Sequence, residues 1–290
     1  MAPFTPLTAS CARTIAAYSV HSLECLESEI TKVEHRLDLI NYWKIEPGSR
    51  VLEIGCGAGT CTSVLAVAVG PDGHVDGVDP GSPDYGAPIT LAQGQTYISN
   101  SVVGDRITWR NAEPTEFLKK NKDLNWDYVV MAECIWYYSY PNDLVKMLQA
   151  LRERVTSFLV AEWALKATEP LAVPHLLAAI TRASLEAHNP NSYHNIRCML
   201  TPTNIKDIAT ATGWSFKEET TIVPNERHLD GYMEVQMIKM KEFDEDVDSL
   251  IKEDRLNIML KASKEAMAYA LEASGVVRAR SMDAWLARFN

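Results

Sequence analysis

Glu53, Gly55, Gly57 and Gly59 form the pattern E-x-G-x-G-x-G at the end of an apolar run, with Cys56 inside the loop, and Asp79 closes the next such run. Alternating glycines let a backbone approach a ligand closely. A strand, a glycine loop, a helix and an acid at the end of the following strand together form the general nucleotide-binding βαβ unit. A dinucleotide fingerprint would need its third glycine at position 60 counting from Gly55, and that position is Thr60. A pyrophosphate seeks a helix N-terminus and would be opposed by a carboxylate two residues before the first glycine. Glu53 therefore argues against a dinucleotide. It suits a nucleoside cofactor that has no phosphate and carries positive charge.

These residues need a frame. Leu23, Leu26, Ile30, Val33, Leu37 and Ile40 recur at steps of three and four and predict the apolar face of a long N-terminal helix, with Glu24, Glu27, Glu34 and Arg36 off it. Strands are predicted at 50–55, 74–79, 107–112, 126–133 and 157–163, and helices at 60–70, 89–99 and 142–155. Such alternation predicts an α/β fold, a parallel sheet wrapped on both faces. Beyond Trp163 the rhythm breaks. Residues 166–200 read as helix and loop, 201–214 as a capped helix and 214–223 as a strand, while 233–240 is ambiguous between strand and helix. Residues 244–273 predict a helical insertion near the pocket. The stretch 281–289 is apolar on both faces, as a covered strand should be, and is expected to be the last strand of the sheet.

The motifs carry a resemblance. "VLEIGCGAG" resembles the first motif of the Rossmann-like, class I S-adenosylmethionine-dependent methyltransferases, whose cofactor carries an ammonium and a sulfonium. "VDGVD" is similar to the second, whose acid, here Asp79, binds the ribose hydroxyls. "ITWRNAEP" resembles the segment that holds the adenine and puts Asn111, Ala112 and Glu113 beside it, and "WDYVVMAECIWYY" resembles the fourth-strand motif beside the methyl group. The matches fall in order over residues 45–165. Within the superfamily the chain looks most like small-molecule enzymes of the ubiquinone-biosynthesis type, in a fungal-like group. The resemblance implies S-adenosyl-L-methionine as cofactor and S-adenosyl-L-homocysteine as product. The implied cofactor contacts are Glu53, Gly55, Cys56, Gly57, Gly59, Asp79, Asn111, Ala112, Glu113 and Glu133. It also implies a doubly wound, mostly parallel seven-stranded sheet with an antiparallel last strand between the fifth and sixth. A helical cap over 1–45 would precede the main domain at 46–290, with 166–200 and 244–273 as helical insertions.

Candidates for catalysis are weaker signals. Glu133 stands where the fourth strand opens into the site, as a functional acid or as half of a structural ion pair. Tyr18 and His21, placed on the N-terminal helix off its apolar stripe, are candidates because that helix covers the cofactor in related enzymes. Arg36 either anchors the cofactor's carboxylate or pairs on the Glu34 side of the helix. Trp136, Tyr137, Tyr138 and Tyr140 either pack under the next helix or wall the methyl group, where ring faces stabilise a sulfonium. His194 and Arg197 are expected to line the substrate pocket from a lid. No unmistakable base is present, which fits an acceptor already nucleophilic enough: an amine, thiol, phenolate or carboxylate.

A formal charge of −10 disfavours a nucleic-acid partner. Six cysteines without ligand spacing predict no metal site and reduced thiols in the cytoplasm. The start of the chain has no signal-peptide pattern, and no stretch approaches a membrane span. The expectation is a cytoplasmic enzyme of secondary metabolism, monomer or homodimer, that methylates a small-molecule nucleophile by in-line transfer. The alternative is a natural-product cyclase of the same fold that binds the cofactor without moving its methyl group.

Overall fold

Strands β1 (Arg50–Ile54), β2 (His74–Asp79), β3 (Ile107–Asn111), β4 (Trp126–Ala132), β5 (Val155–Trp163), β6 (Phe216–Ile222) and β7 (Ala284–Phe289) form one sheet in a computed structural model that describes residues 4–19 and 22–290. The spatial order is β3-β2-β1-β4-β5-β7-β6. Strands β1 to β5 run parallel, and β7 is antiparallel to both its neighbours, β5 and β6. The order reverses at β1, between β2 on one side and β4 on the other. In a doubly wound sheet that switch point opens a crevice at the carboxyl ends of the strands. Chemistry belongs there.

Helices α1 (Ala12–Ala16), α2 (Leu23–Trp43), α3 (Thr60–Val69), α4 (Leu91–Ser99), α5 (Pro114–Lys120), α6 (Pro141–Leu151) and α8 (Pro202–Ala211) dress the sheet, with α7 (Val173–Glu186) beyond β5. Two cores result, one on each face. Val51, Leu159 and Leu286 pack with Val33, Leu37 and Ile40 of α2 and Val64 and Leu65 of α3. Leu52, Phe158, Trp285 and Phe289 pack on the other face with Leu144 and Leu148 of α6 and Ile205 of α8. Neighbours along β1 and β7 thus feed opposite cores, as a period of two requires. Of the stripe predicted for α2, Ile30, Val33, Leu37 and Ile40 are buried and Leu26 packs against them half-buried, while the side chain of Leu23 lies outside the described residues. Ser22 accepts a hydrogen bond from Cys25 N to start this helix, and Lys44 at φ +54° ends it.

A third apolar cluster joins α7 to α9 (Asp230–Lys239), α10 (Lys241–Leu250) and α11 (Asp254–Ala273). The ambiguous stretch 233–240 is therefore helical. Gly231, Glu234, Val235 and Ile238 are buried at steps of three and four, a helical period that strand alternation would not give. The insertion at 244–273 is two helices, with Glu253 capping the second by accepting from Leu256 N at 2.7 Å. Leu260, Met267 and Leu271 of α11 pack in this third cluster beside α7 and α9, outside the two cores of the sheet.

Strand β7 holds two ladders at once. Leu286 faces Ala161 of β5 on one side and Thr220 of β6 on the other, and Phe289 stacks on Phe158 at 5.5 Å. Removing residues 281–290 should therefore abolish cooperative thermal unfolding followed by circular dichroism, because the loss exceeds the roughly 5–15 kcal/mol that hold a domain together. A truncated protein that still melts cooperatively would contradict this account of the sheet.

Candidate active site

The glycine loop leaves β1 and turns into α3 with positive φ at all three glycines, +75°, +52° and +99°. A Cβ on Gly59 would lie 2.6 Å from both Ile98 and Trp109, so only glycine fits there. A Cβ on Gly57 would meet nothing within 4 Å, so the loop's outer side is open. Asp79, at the end of β2, accepts from Gly57 N at 2.8 Å and from Gly81 N at 2.7 Å. Each of its carboxylate oxygens keeps a further acceptor position.

Asn111 donates to Gly81 O at 2.6 Å and to Asp79 O at 3.2 Å, and Ala112 N donates to Asp79 O at 3.0 Å. Glu113 is exposed at the start of α5. The predicted adenine-side residues are therefore together, and Asn111 and Ala112 brace the loop that carries Asp79.

Glu53 lies beneath the loop, 2 % exposed, and accepts from Thr62 Oγ1 at 2.6 Å. Burial pushes its carboxyl up to about 7. The sequence placed this acid at the mouth; the structure places it under the floor, joining β1 to α3. Cys56 is buried there too, and burial pushes its thiol up.

Glu133 follows β4 with φ +54°, and its N donates to Ala161 O at 2.8 Å. A non-glycine residue in this region costs on the order of 1–3 kcal/mol and persists where its surroundings demand it. Here the demand is plain. His35 Nε2 lies 2.5 Å from Glu133 Oε1, and Arg36 donates to Oε2, also at 2.5 Å. Burial raises the Glu133 carboxyl, but Arg36 and His35 outweigh it and hold the group well below the usual carboxylate range. Glu133 is thus a fixed anion that clamps α2 over the strand ends, the ion-pair reading of the two that the sequence left open. Arg36 pairs with Glu133, while Glu34 pairs with Arg227 at 2.7 Å.

At the end of β5, Glu162 is buried and accepts from Ile135 N at 3.1 Å and Trp163 N at 3.0 Å. Burial pushes it up to about 8. Trp136 is a core residue, donating Nε1 to Leu200 O at 2.9 Å, and does not wall the cleft. Tyr137 does face open space. It is 40 % exposed, and desolvation, Tyr85, Glu234 and Asp230 push its hydroxyl up. Tyr138 packs against the core of Leu52, Phe158 and Leu144, and Tyr140 is exposed at the start of α6.

Tyr18 sits in the turn after α1 and packs on the core, separate from α2, while His21 lies outside the described residues. His194 stacks on Tyr193 and lies 3.9 Å from Glu186 and 3.8 Å from Asp246, within the ion cluster of Arg182. Arg197 donates to Ser192 O at 3.4 Å and so holds its own loop. Both belong to the insertion's framework.

The residues that sequence reasoning missed are His35, His175, His228 and Asp230. Three imidazoles surround Trp163, with centroids 6.0, 5.1 and 6.0 Å from its ring. His175 Nδ1 accepts from Met282 N at 2.9 Å, so its proton is on Nε2, and His228 Nδ1 meets Ser281 Oγ at 2.9 Å. Burial lowers both to about 4, which keeps them neutral at pH 7. They lie at scattered positions with no motif around them, so the chain offers no local signal.

Two outcomes follow from these charges. Glu133→Ala strands Arg36 and His35 in a buried place, and urea unfolding should show a loss of about 3–5 kcal/mol. Glu53, raised above its ordinary value of 4.5, contributes stability that is full below 4.5 and lost as pH rises through about 7. Wild-type stability relative to Glu53→Gln should therefore fall across that window by up to about 1.4 kcal/mol per pH unit. A flat difference between pH 4.5 and 7 would show that Glu53 is not buried as described.

Comparisons with known proteins agree with this geometry. "Methyltransferase phomM'" of Diaporthe leptostromiformis is 26% identical, over 82% of this chain and 72% of its own. The crystal structure of a cyclopropane-fatty-acyl-phospholipid synthase-like protein from Lactobacillus casei superposes with a TM-score of 0.86 at 28% identity, covering 98% of this chain and 100% of that one. A SAM dependent methyltransferase from Archaeoglobus fulgidus, 14% identical with a TM-score of 0.50, covers 91% of this chain and 95% of its own and speaks for the fold alone. The model of the methyltransferase-domain family matches residues 29–219, more than half of the chain. The chain belongs to that family and is a class I, S-adenosylmethionine-dependent methyltransferase.

Proposed function

We infer that the enzyme methylates a small-molecule nucleophile of secondary metabolism, held in the cleft between the strand ends and a roof made by α2, α7 and α9. The observation that carries this reading is the Glu133 clamp, which fixes α2 beside the fourth-strand position while Tyr137 stays open to the same cleft. The relatives support it: the Diaporthe protein is named a methyltransferase. A charge of −10 supports an acceptor other than nucleic acid. Among the described residues, no helix is long and apolar enough to cross a membrane. We place the enzyme in the cytoplasm as a monomer or homodimer, with residues 1–45 as part of the roof over a domain spanning 46–290.

The residues present fit the cofactor. Asp79 has acceptor positions left for ribose hydroxyls, and the bare Cα of Gly57 leaves the loop's outer side free. Asn111, Ala112 and Glu113 border the adenine side. When bound, the cofactor supplies an electrophilic methyl group on a sulfonium. The protein's own part is positioning, worth on the order of 7–11 kcal/mol when the geometry is right. Neutral His175 and His228 add no charge to oppose a cationic cofactor. Trp163 and Tyr137 help to exclude water.

Incubation with methyl-labelled S-adenosylmethionine and a panel of small nucleophiles should move label to the acceptor. Label that stays on the cofactor while a substrate is converted would favour the cyclase alternative. Asp79→Ala should weaken S-adenosylhomocysteine binding by about 1–3 kcal/mol, roughly a 5- to 150-fold rise in Kd by calorimetry. Unchanged affinity would count against this placement of the cofactor.

A further inference from the structure

Helix α9 presents a pair of acids outside the cofactor loop and the Glu133 clamp. Asp230 and Glu234 are four residues apart and so share one helix face. Asp230 makes no hydrogen bond or ion pair among the described residues, yet its charge reaches Tyr137, His175, His228, Arg36 and Glu234.

Glu234 is 9 % exposed and accepts from Asn195 Nδ2 through Oε1. Its Oε2 is buried without a partner, and so is Asn195 Oδ1. Because the Asn195 amide must give its N–H to the carboxylate, the oxygen left over is an acceptor. Arg197 N and Cys198 N both donate to Trp136 O, at 2.9 and 3.1 Å, so the loop that brings Asn195 to Glu234 runs beside Tyr137. Among the described residues the Asp230 carboxylate, Glu234 Oε2 and Asn195 Oδ1 are therefore acceptors without a hydrogen-bond donor. The nearby cations are paired with other acids, Arg36 with Glu133 at 2.5 Å and Arg182 with Glu186 at 3.2 Å, although the charge of Arg182 also acts on Glu234 and its Nε has no partner. Among the described residues no group of three or more His, Cys, Asp or Glu is arranged to hold a metal ion.

We propose that this acid face of α9 docks the methyl acceptor and that the acceptor is an amine, which arrives as its ammonium on Asp230, Glu234 and Asn195 Oδ1 and gives one proton to a carboxylate of that pair before its nitrogen, now neutral with a lone pair, can take a methyl group. The proposal rests on reading the strand-end cleft as a methyltransferase's acceptor pocket. An ammonium brings three donors and no acceptor, which matches the three groups. A hydroxyl or thiol brings one donor and leaves buried acceptors unpaired, and a carboxylate or phenolate is repelled. Burial raises Glu234, with Asp230 adding to it, so an arriving cation relieves both effects.

The test is equilibrium binding of benzylamine and benzyl alcohol to the full chain by calorimetry, with and without S-adenosylhomocysteine. Wild type should prefer the amine by on the order of tenfold, as a charge-assisted contact does over a neutral one. Asp230→Asn and Glu234→Gln should each remove that preference, leaving the alcohol, S-adenosylhomocysteine and the circular dichroism unchanged. Should Glu234→Gln fail to fold, the partly exposed Asp230 carries the test alone. Equal binding of amine and alcohol by wild type, or an unchanged preference in Asp230→Asn, overturns the proposal and assigns Glu234 to Arg182's framework. A loss of S-adenosylhomocysteine binding in the variants also overturns it, since the acids would then serve the cofactor. Amine-selective binding without label transfer to any nucleophile would instead overturn the methyltransferase reading of the cleft and leave the docking site standing.

Discussion

One buried anion organises the functional end of this molecule. Glu133 adopts a left-handed backbone conformation at the end of β4, and its carboxylate is divided between His35 and Arg36 on successive positions of α2. The clamp ties an N-terminal helix to the sheet at the point where the strand order reverses. It also commits one nitrogen of His35 and one of Arg36 to the strand end. A buried pair of this kind adds little net stability, because desolvation offsets most of the attraction. Its value is geometric: it sets where the roof stands.

The remaining buried acids differ by environment. Glu133 stays ionised beside its partners, whereas Glu53 and Glu162 are pushed by burial toward neutrality at pH 7 and are held by hydroxyl and backbone donors. The two lid imidazoles are pushed the other way and are also neutral. The centre of the cleft is therefore low in mobile charge, and Asp230 stands out within it. Such a field suits a cofactor that brings its own positive charge.

The chain reads well wherever a period or a spacing carries the information. Strand β2 was expected over 74–79 and lies there, and the two-faced apolar pattern of 281–289 identified the strand that slots between β5 and β6. The E-x-G-x-G-x-G loop and Asp79 were legible because local backbone geometry demands glycine and an acid at those spacings. What was not legible is contact across distance. Whether Glu53 faces the cleft or the floor depends on Thr62 and the packing of α3 on β1. His35, His175 and His228 come from three separate elements and meet only because α2, α7 and the loop before α9 converge on Trp163. For 233–240 the burial pattern decides, since Glu234 turns inward and breaks the apparent alternation.

The most direct test of this account is a crystal structure with S-adenosylhomocysteine bound. The ribose hydroxyls should lie on Asp79 and the ligand along the open side of Gly57, with Glu133 still gripped by His35 and Arg36. A ligand seated away from the carboxyl ends of β1 and β2, or a Glu133 side chain swung out of its clamp to meet it, would contradict the central claim.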